Sequence, residues 1–224
     1  AEGLLSHEEI QSMVGKMVEY GGLVSERALS DGKKRPYEIN ISLFDALQTE
    51  EKFLCAHTIL LGLEGVPAFY IHSLLGTRND REGAISSGMN RRINRHQWNA
   101  DGLRIELENE KSPHASVLKK LLERIDLRRE QAAFHPNATQ FTLHMGDQVF
   151  SFWRQSVDRR SNIFCLNNVS GEEQRIPVAA INLISTEEWL DLISGDILED
   201  EEGELVLAPY QCIWLANRRK HLPY

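Results

Sequence analysis

In the first 136 residues only one short stretch, Ala68-Phe69-Tyr70-Ile71, reads as a buried β-strand. A helical pattern precedes it and Gly65-Val66-Pro67 opens it, the setting of a parallel strand in an α/β layer. One strand cannot make a sheet, because its backbone N–H and C=O groups need partners on neighbouring strands. The expectation is that the chain up to residue 136 is part of a larger sheet whose other strands it does not contain.

The helices around that stretch are easier to read. Ser6-His7-Glu8-Glu9 has the form of a capping box, with Ile10, Met13, Val14, Met17 and Val18 at helical spacing and Gly21-Gly22 as the stop. Residues 23–49 are mixed: Ser30-Asp31-Gly32-Lys33-Lys34 is a turn signal, and Tyr37 to Phe44 reads as extended or irregular. A second, largely apolar helix is expected over about 50–64 and a third from Ser112, with Pro113 at its first position and an end near Phe134-His135-Pro136. Residues 72–111 show no strong period, and an irregular connection of that length suggests functional loops.

After Pro136 the period becomes two. Thr139–His144, Gln148–Arg154 and Asn162–Asn167 read as strands, with turns at Gly146-Asp147 and Ser170-Gly171. Ile176-Pro177-Val178 reads as a short edge strand, and Ile197-Leu198, Leu205–Leu207 and Cys212–Leu215 complete the set. The fold class is therefore α/β plus all-β, with an α/β portion over 1–136 and an antiparallel β domain over 137–224.

Composition narrows the function classes. Apolar residues make up 42% and charged residues 26% of the 224, the mix of a folded soluble protein rather than a disordered one. The net charge of −8 disfavours a nucleic-acid partner. The run Thr58–Val66 is broken by Glu64, so no segment is expected to span a membrane. Residues 1–6 carry no basic or long apolar region, so no signal peptide is expected. Cys55, Cys165 and Cys212 lack metal-type spacing and are expected to be buried reduced thiols, which suggests a cytoplasmic location. Six arginines lie between Arg78 and Arg104, a stretch suited to an anion or a hydroxyl-rich ligand. Nine acids and no Lys or Arg lie between Ser185 and Ala208, which reads as a solvated surface and, over Asp196–Glu204, lacks the pattern of a calcium loop.

Four motifs in order carry a resemblance. Gly65-Val-Pro-Ala-Phe-Tyr-Ile-His-Ser-Leu-Leu-Gly-Thr-Arg-Asn-Asp80 resembles the eighth barrel strand and following loop of the α-amylase superfamily (glycoside hydrolase family thirteen). Asn90-Arg91-Arg92-Ile93-Asn94-Arg95-His96 resembles the Arg-x-Ile-Asn-Arg loop of its sucrose phosphorylase and glucosylglycerate phosphorylase branch. Tyr37-Glu38-Ile39-Asn40 with Phe44-Asp45-Ala46-Leu47 resembles the segment after strand seven. Gly195-Asp-Ile-Leu and Leu207–Leu215 are similar to the last strands of the β domain beyond the barrel.

The resemblance implies an incomplete (β/α)8 TIM barrel, holding the loop after strand seven, helix seven, strand eight and helix eight, followed by a C-terminal β-sandwich. A full barrel needs about 250 residues. The chain is thus expected to be the C-terminal part of a retaining α-glucoside phosphorylase, its missing partner being the N-terminal part of its own barrel. The implied substrates are sucrose or a related α-glucoside and inorganic phosphate, with no cofactor or metal. No His-Asp dipeptide occurs in the sequence, so no catalytic carboxylate is nominated and the chain alone is expected to be inactive. A hydrolase or transglucosidase of the same superfamily, or a non-catalytic sugar-binding module, are the alternatives. Apolar faces left without the rest of the barrel are expected to favour self-association into homo-oligomers.

The resemblance also nominates residues. Arg91 would bind glucosyl hydroxyls, a role that suits five fixed donors and a permanent charge. Tyr37 and Glu38 would line the acceptor side. Glu38 stands where Gln is typical, which puts sucrose in doubt and leaves room for a glycerate- or glycerol-type acceptor. Arg35 is a candidate for phosphate or an acidic acceptor. Arg92, Asn94, Arg95, His96, Arg78 and Asp80 would support the loops. His72 and Trp98 read as packing residues near the site.

Overall fold

The structure, a computed structural model, describes residues 3–28, 32, 34–181, 183, 187–198 and 203–219. The chain divides into two compact units, Ala1–Phe53 with Phe69–Lys119 and Leu54–Ala68 with Lys120–Tyr224. The change of period at residue 136 falls inside the second unit.

The first unit is helical around one hairpin. Helix α1, His7–Glu19, starts at the expected capping box: Ser6 N–H donates to Glu9 Oε2 at 2.7 Å and Glu9 N–H donates to Ser6 Oγ at 3.2 Å. Strands β1 (Leu23–Ala28) and β2 (Lys34–Asn40) pair antiparallel, with a register shift between Ser25 and Glu26 that leaves Tyr37 as the extra residue on β2. Of the turn signal between them, Ser30, Asp31 and Lys33 lie outside the described residues. Helix α2 (Leu43–Leu47) follows, and α3 (Glu50–Gly62) begins in this unit.

The expected strand at Ala68–Ile71 is not one. Residues 66–70 carry no ladder, and helix α4 (Ile71–Leu74) starts where the strand was to end. Val66 is 80% and Ile71 55% exposed, so this stretch is not a buried core element of the chain. A strand exists by pairing, and the only sheet of the first unit among the described residues is the β1–β2 hairpin.

The stretch 72–111, expected to be irregular, is built of short helical pieces. These are α4, α5 (Arg81–Ser87), a 3-10 turn at Asn90–Asn94 and α6 (Ala100–Glu108). Asp80 caps α5 by accepting from Gly83 N–H, and Asn99 caps α6 by accepting from Asp101 and Gly102 N–H. Helix α7 (Pro113–Arg129) is opened by Ser112 Oγ, which accepts from His114 N–H at 3.2 Å. The unit's buried residues include Phe44, Phe53, Leu75, Ile93 and Val117. Gly76, at φ +54°, sits where a Cβ would meet Phe44 and Val117 at 3.3 Å, so neither its conformation nor its space suits a side chain.

The second unit is mostly β. Strands β3 (Thr139–His144), β4 (Val149–Gln155), β5 (Asn162–Asn168), β7 (Glu187–Asp191) and β9 (Cys212–Arg219) form an antiparallel sheet in the order β3-β4-β5-β9-β7. Strands β6 (Gln174–Pro177) and β8 (Glu204–Leu207) form a separate antiparallel pair. The core draws on both sheets, with Phe164, Leu166, Trp189 and Leu215 from one and Ile176 and Leu207 from the other. Ile197 makes only an isolated bridge, to Leu190.

Strand β7 corrects the reading of the acidic stretch as a solvated surface. Trp189, Leu190 and Asp191 are buried, and the Asp191 carboxylate accepts from the N–H groups of Ile193, Ser194 and Trp214.

The C-terminal end of α3 belongs to this unit, and two arginines close it. Arg154, wholly buried on β4, donates from Nη1 to Gly62 O at 3.0 Å and from Nη2 to His135 O at 3.1 Å and Ala138 O at 3.3 Å. Arg128 of α7 donates to Leu61 O and to Gly65 O and stacks over Phe134. Cations suit this place because the last carbonyls of a helix lack intrahelical donors and carry partial negative charge.

Candidate functional site

Two of the four substrate candidates, Arg91 and Glu38, meet where the hairpin faces the 3-10 turn. Ser25 of β1, beside the register shift, anchors the junction, because its hydroxyl accepts from Asn40 Nδ2 at 3.0 Å and Asn90 Nδ2 at 3.3 Å. Asn90 also donates to Val24 O at 3.4 Å. The next residue, Arg91, is thereby held beside β2, and its Nε donates to Glu38 Oε2 at 2.9 Å. This ion pair is open to solvent, with Arg91 57% and Glu38 34% exposed. The terminal nitrogens of Arg91 have no hydrogen-bond partner among the described residues. Neighbouring Tyr37 is exposed and lies 6.0 Å beneath the Arg27 guanidinium. Arg27 is the cross-strand partner of Arg35, so two cations face each other on the same hairpin.

A second group of contacts holds the loops. Asp80 faces Arg92 Nη2 at 3.5 Å and His96 Nδ1 at 3.6 Å, while its N–H donates to Ile93 O at 2.7 Å. The Arg95 carbonyl accepts from Arg92 Nη1, and the Asn94 carbonyl accepts from Tyr70 Oη at 3.4 Å. Arg78 pairs with Asp45 at 2.9 Å and lies 4.7 Å from the centre of the Phe44 ring. Asp45 accepts as well from Asn79 N–H at 2.6 Å.

His72 and Trp98 converge on Thr77. Trp98 Nε1 donates to Thr77 Oγ1 at 3.1 Å, and His72 Nδ1 lies 3.3 Å from the same oxygen. Trp98 stands edge-on between His96 and His114, so its ring is committed to packing. Partial burial, followed by the positive charges of His96 and Arg92, lowers the His72 pKa below the ordinary histidine value.

A cavity of about 470 Å³ in this unit lies between Val18 and Leu23 on one side and Ile85 and Ile93 on the other, with Asn90 in its wall. Its lining is mainly apolar and includes none of the four substrate candidates. Sequence reading had missed Ser25 and Asn90, which join the two loops. Asn90 stood inside a recognised motif, but nothing in the spacing pointed it at residue 25. Among the described residues no three His, Cys, Asp or Glu side chains could together hold a metal ion, and no helix is long and apolar enough to cross a membrane.

No protein-family profile matches the chain. A glucosylglycerate phosphorylase of Spirochaeta thermophila is 34% identical over 98% of this chain and 40% of its own length. A sucrose phosphorylase of Agrobacterium vitis is 32% identical over 52% of this chain and 23% of its own. The crystal structure of sucrose 6F-phosphate phosphorylase from Thermoanaerobacter thermosaccharolyticum superimposes with a TM-score of 0.61 at 23% identity, over 75% of this chain and 34% of that one. An Anoxybacillus α-amylase gives 0.58 at 15% identity, over 82% and 37%.

The fold is therefore that of α-amylase-type proteins. The chain is similar to glucosylglycerate phosphorylases along nearly its whole length, and it spans about two fifths of the length of the Spirochaeta thermophila one.

Proposed function

We propose that this chain is the C-terminal part of a retaining α-glucoside phosphorylase, the first unit supplying the last portion of a TIM barrel and the residues after 136 a β-sandwich. The enzyme would move a glucosyl unit from glucosylglycerate or a related α-glucoside to inorganic phosphate. A carboxylate attacks the anomeric carbon while a second carboxyl group protonates the departing glycosidic oxygen; phosphate then displaces the carboxylate and leaves as α-glucose 1-phosphate. Both carboxyl groups would belong to the portion of the relatives that this chain does not span, so the chain alone would not turn over.

The observation that carries the reading is the Arg91–Glu38 pair. Glu38 would repel phosphate if it stood alone, but its charge is matched by Arg91 at 2.9 Å. Held by its Nε, Arg91 keeps its terminal N–H groups for sugar hydroxyls or an anion. Tyr37 would flank the acceptor. The facing Arg27 and Arg35 supply positive charge suited to an acidic acceptor such as glycerate. Arg92, His96, Asp80, Arg78, Asn94 and Arg95 would keep the loops in place.

The test is the reverse reaction. The complete protein is given α-glucose 1-phosphate with glycerate, glycerol or fructose as acceptor. Release of phosphate with glycerate well above the other two supports the assignment. A preference for fructose returns it to a sucrose phosphorylase, and transfer to none of them removes the proposal.

A further inference from the structure

We infer that Cys55 and Cys212 form a peroxide-responsive dithiol that closes to a disulfide between α3 and β9. The inference stands apart from the phosphorylase reading. Both residues lie in the second unit, and their sulfurs are 3.5 Å apart. A disulfide needs about 2 Å, so closure joins two sulfurs that are already in contact. The thiols are also aligned: Cys212 S–H donates to Cys55 Sγ, and Cys55 S–H donates to Asn168 O at 3.6 Å.

The two sulfurs differ in character. The hydrogen bond from Cys212 lowers the Cys55 pKa below the ordinary thiol value despite burial, and the Arg124 charge lowers it further. Its partner, Cys212, is pushed up by that same hydrogen bond and by burial. Because Cys212 S–H donates to its sulfur, Cys55 is assigned as the attacking thiol and Cys212 as the resolving one. The Cys55 thiolate attacks one oxygen of hydrogen peroxide, the O–O bond breaks, and the hydroxide released takes up a proton as water. The resulting sulfenic acid is attacked by the Cys212 sulfur; the S–S bond forms and the sulfenic oxygen departs as a second water. Two thiols and one peroxide give one disulfide and two waters.

Cys165 is the internal control. It is completely buried, whereas Cys55 keeps 5% and Cys212 8% of its surface, and burial raises the Cys165 pKa far above the ordinary thiol value. Cys165 is thus the most deeply buried of the three and has neither cysteine as a hydrogen-bond partner among the described contacts.

The experiment treats the folded chain with hydrogen peroxide, blocks remaining thiols after unfolding and maps peptides without reductant. The expected product is two hydrogens lighter, with Cys55 linked to Cys212 and Cys165 blocked as in the untreated protein. The same treatment in denaturant should give mixed pairings, which shows that the fold sets the selectivity. C212S should leave a sulfenic acid on Cys55 that dimedone traps, and C55S should leave no adduct on Cys212. Recovery of three free thiols under peroxide that oxidises a small-molecule thiol, a link to Cys165, or direct over-oxidation of Cys55 without a link would each overturn the inference. The wild-type map decides this even if a serine variant fails to fold.

Discussion

Arg91 reaches Glu38 across 53 residues of sequence, Nε to Oε2 at 2.9 Å, and so ties the 3-10 turn to strand β2. The contact is a tie between two loops more than a source of stability. An exposed ion pair contributes under about 1 kcal/mol. Replacing Glu38 with Ala should leave the urea midpoint of the chain nearly unchanged.

Activity should respond differently from stability. In the complete protein Arg91→Met should lower kcat/KM for phosphorolysis by roughly 10- to 100-fold, the worth of one charge-assisted contact. Glu38→Gln keeps an acceptor for Arg91 and should cost less than about 10-fold. Steady-state kinetics with phosphate varied would check both. Equal losses in the two variants would mean that Glu38 acts directly rather than by holding Arg91.

Arg154 is the opposite case, fully buried and spent on three backbone carbonyls at the end of α3 and beyond α7. Arg154→Met removes the donors and leaves those oxygens buried. The expected loss is on the order of 3 kcal/mol, read from urea unfolding by circular dichroism.

Gly76 should not tolerate a side chain. Its φ of +54° and the 3.3 Å approach of Phe44 and Val117 both oppose a Cβ. Gly76→Ala should destabilise by about 1 kcal/mol or more, visible as a lower thermal midpoint with unchanged secondary structure.

His72 gives a pH dependence of definite sign. Its folded-state pKa lies below the unfolded value, chiefly through burial. Protons then bind the unfolded chain more readily, so this group's contribution is full above the ordinary histidine pKa and is lost as pH falls through that value toward the folded one. His72→Asn should flatten the fall in stability on acidification across that window, as measured by denaturant midpoints at several pH values.

What could be read from the sequence follows from the range of the forces involved. The Ser6–Glu9 capping box and the helix at Pro113 depend on neighbours within four residues, and both stand where expected. Short β-type runs bounded by turn signals located β3, β4, β5, β8 and the start of β9. Strand β7 was hidden because its acids suggested solvent, whereas Asp191 is buried as a backbone acceptor. Ala68–Ile71 has strand composition but no partner to pair with among the described residues. The short helices α5 and α6 are fixed by the caps Asp80 and Asn99 more than by any period. Arg91 and Glu38 were each nominated, yet their pairing is a long-range event that no local spacing encodes.

Phosphate dependence tests the central claim most directly. The complete protein is incubated with glucosylglycerate, with and without inorganic phosphate, and followed by 31P NMR and by glucose assay. The account predicts α-glucose 1-phosphate in step with glycerate release, and almost no free glucose when phosphate is absent. Glucose release at the same rate with and without phosphate would contradict it and make the protein a hydrolase.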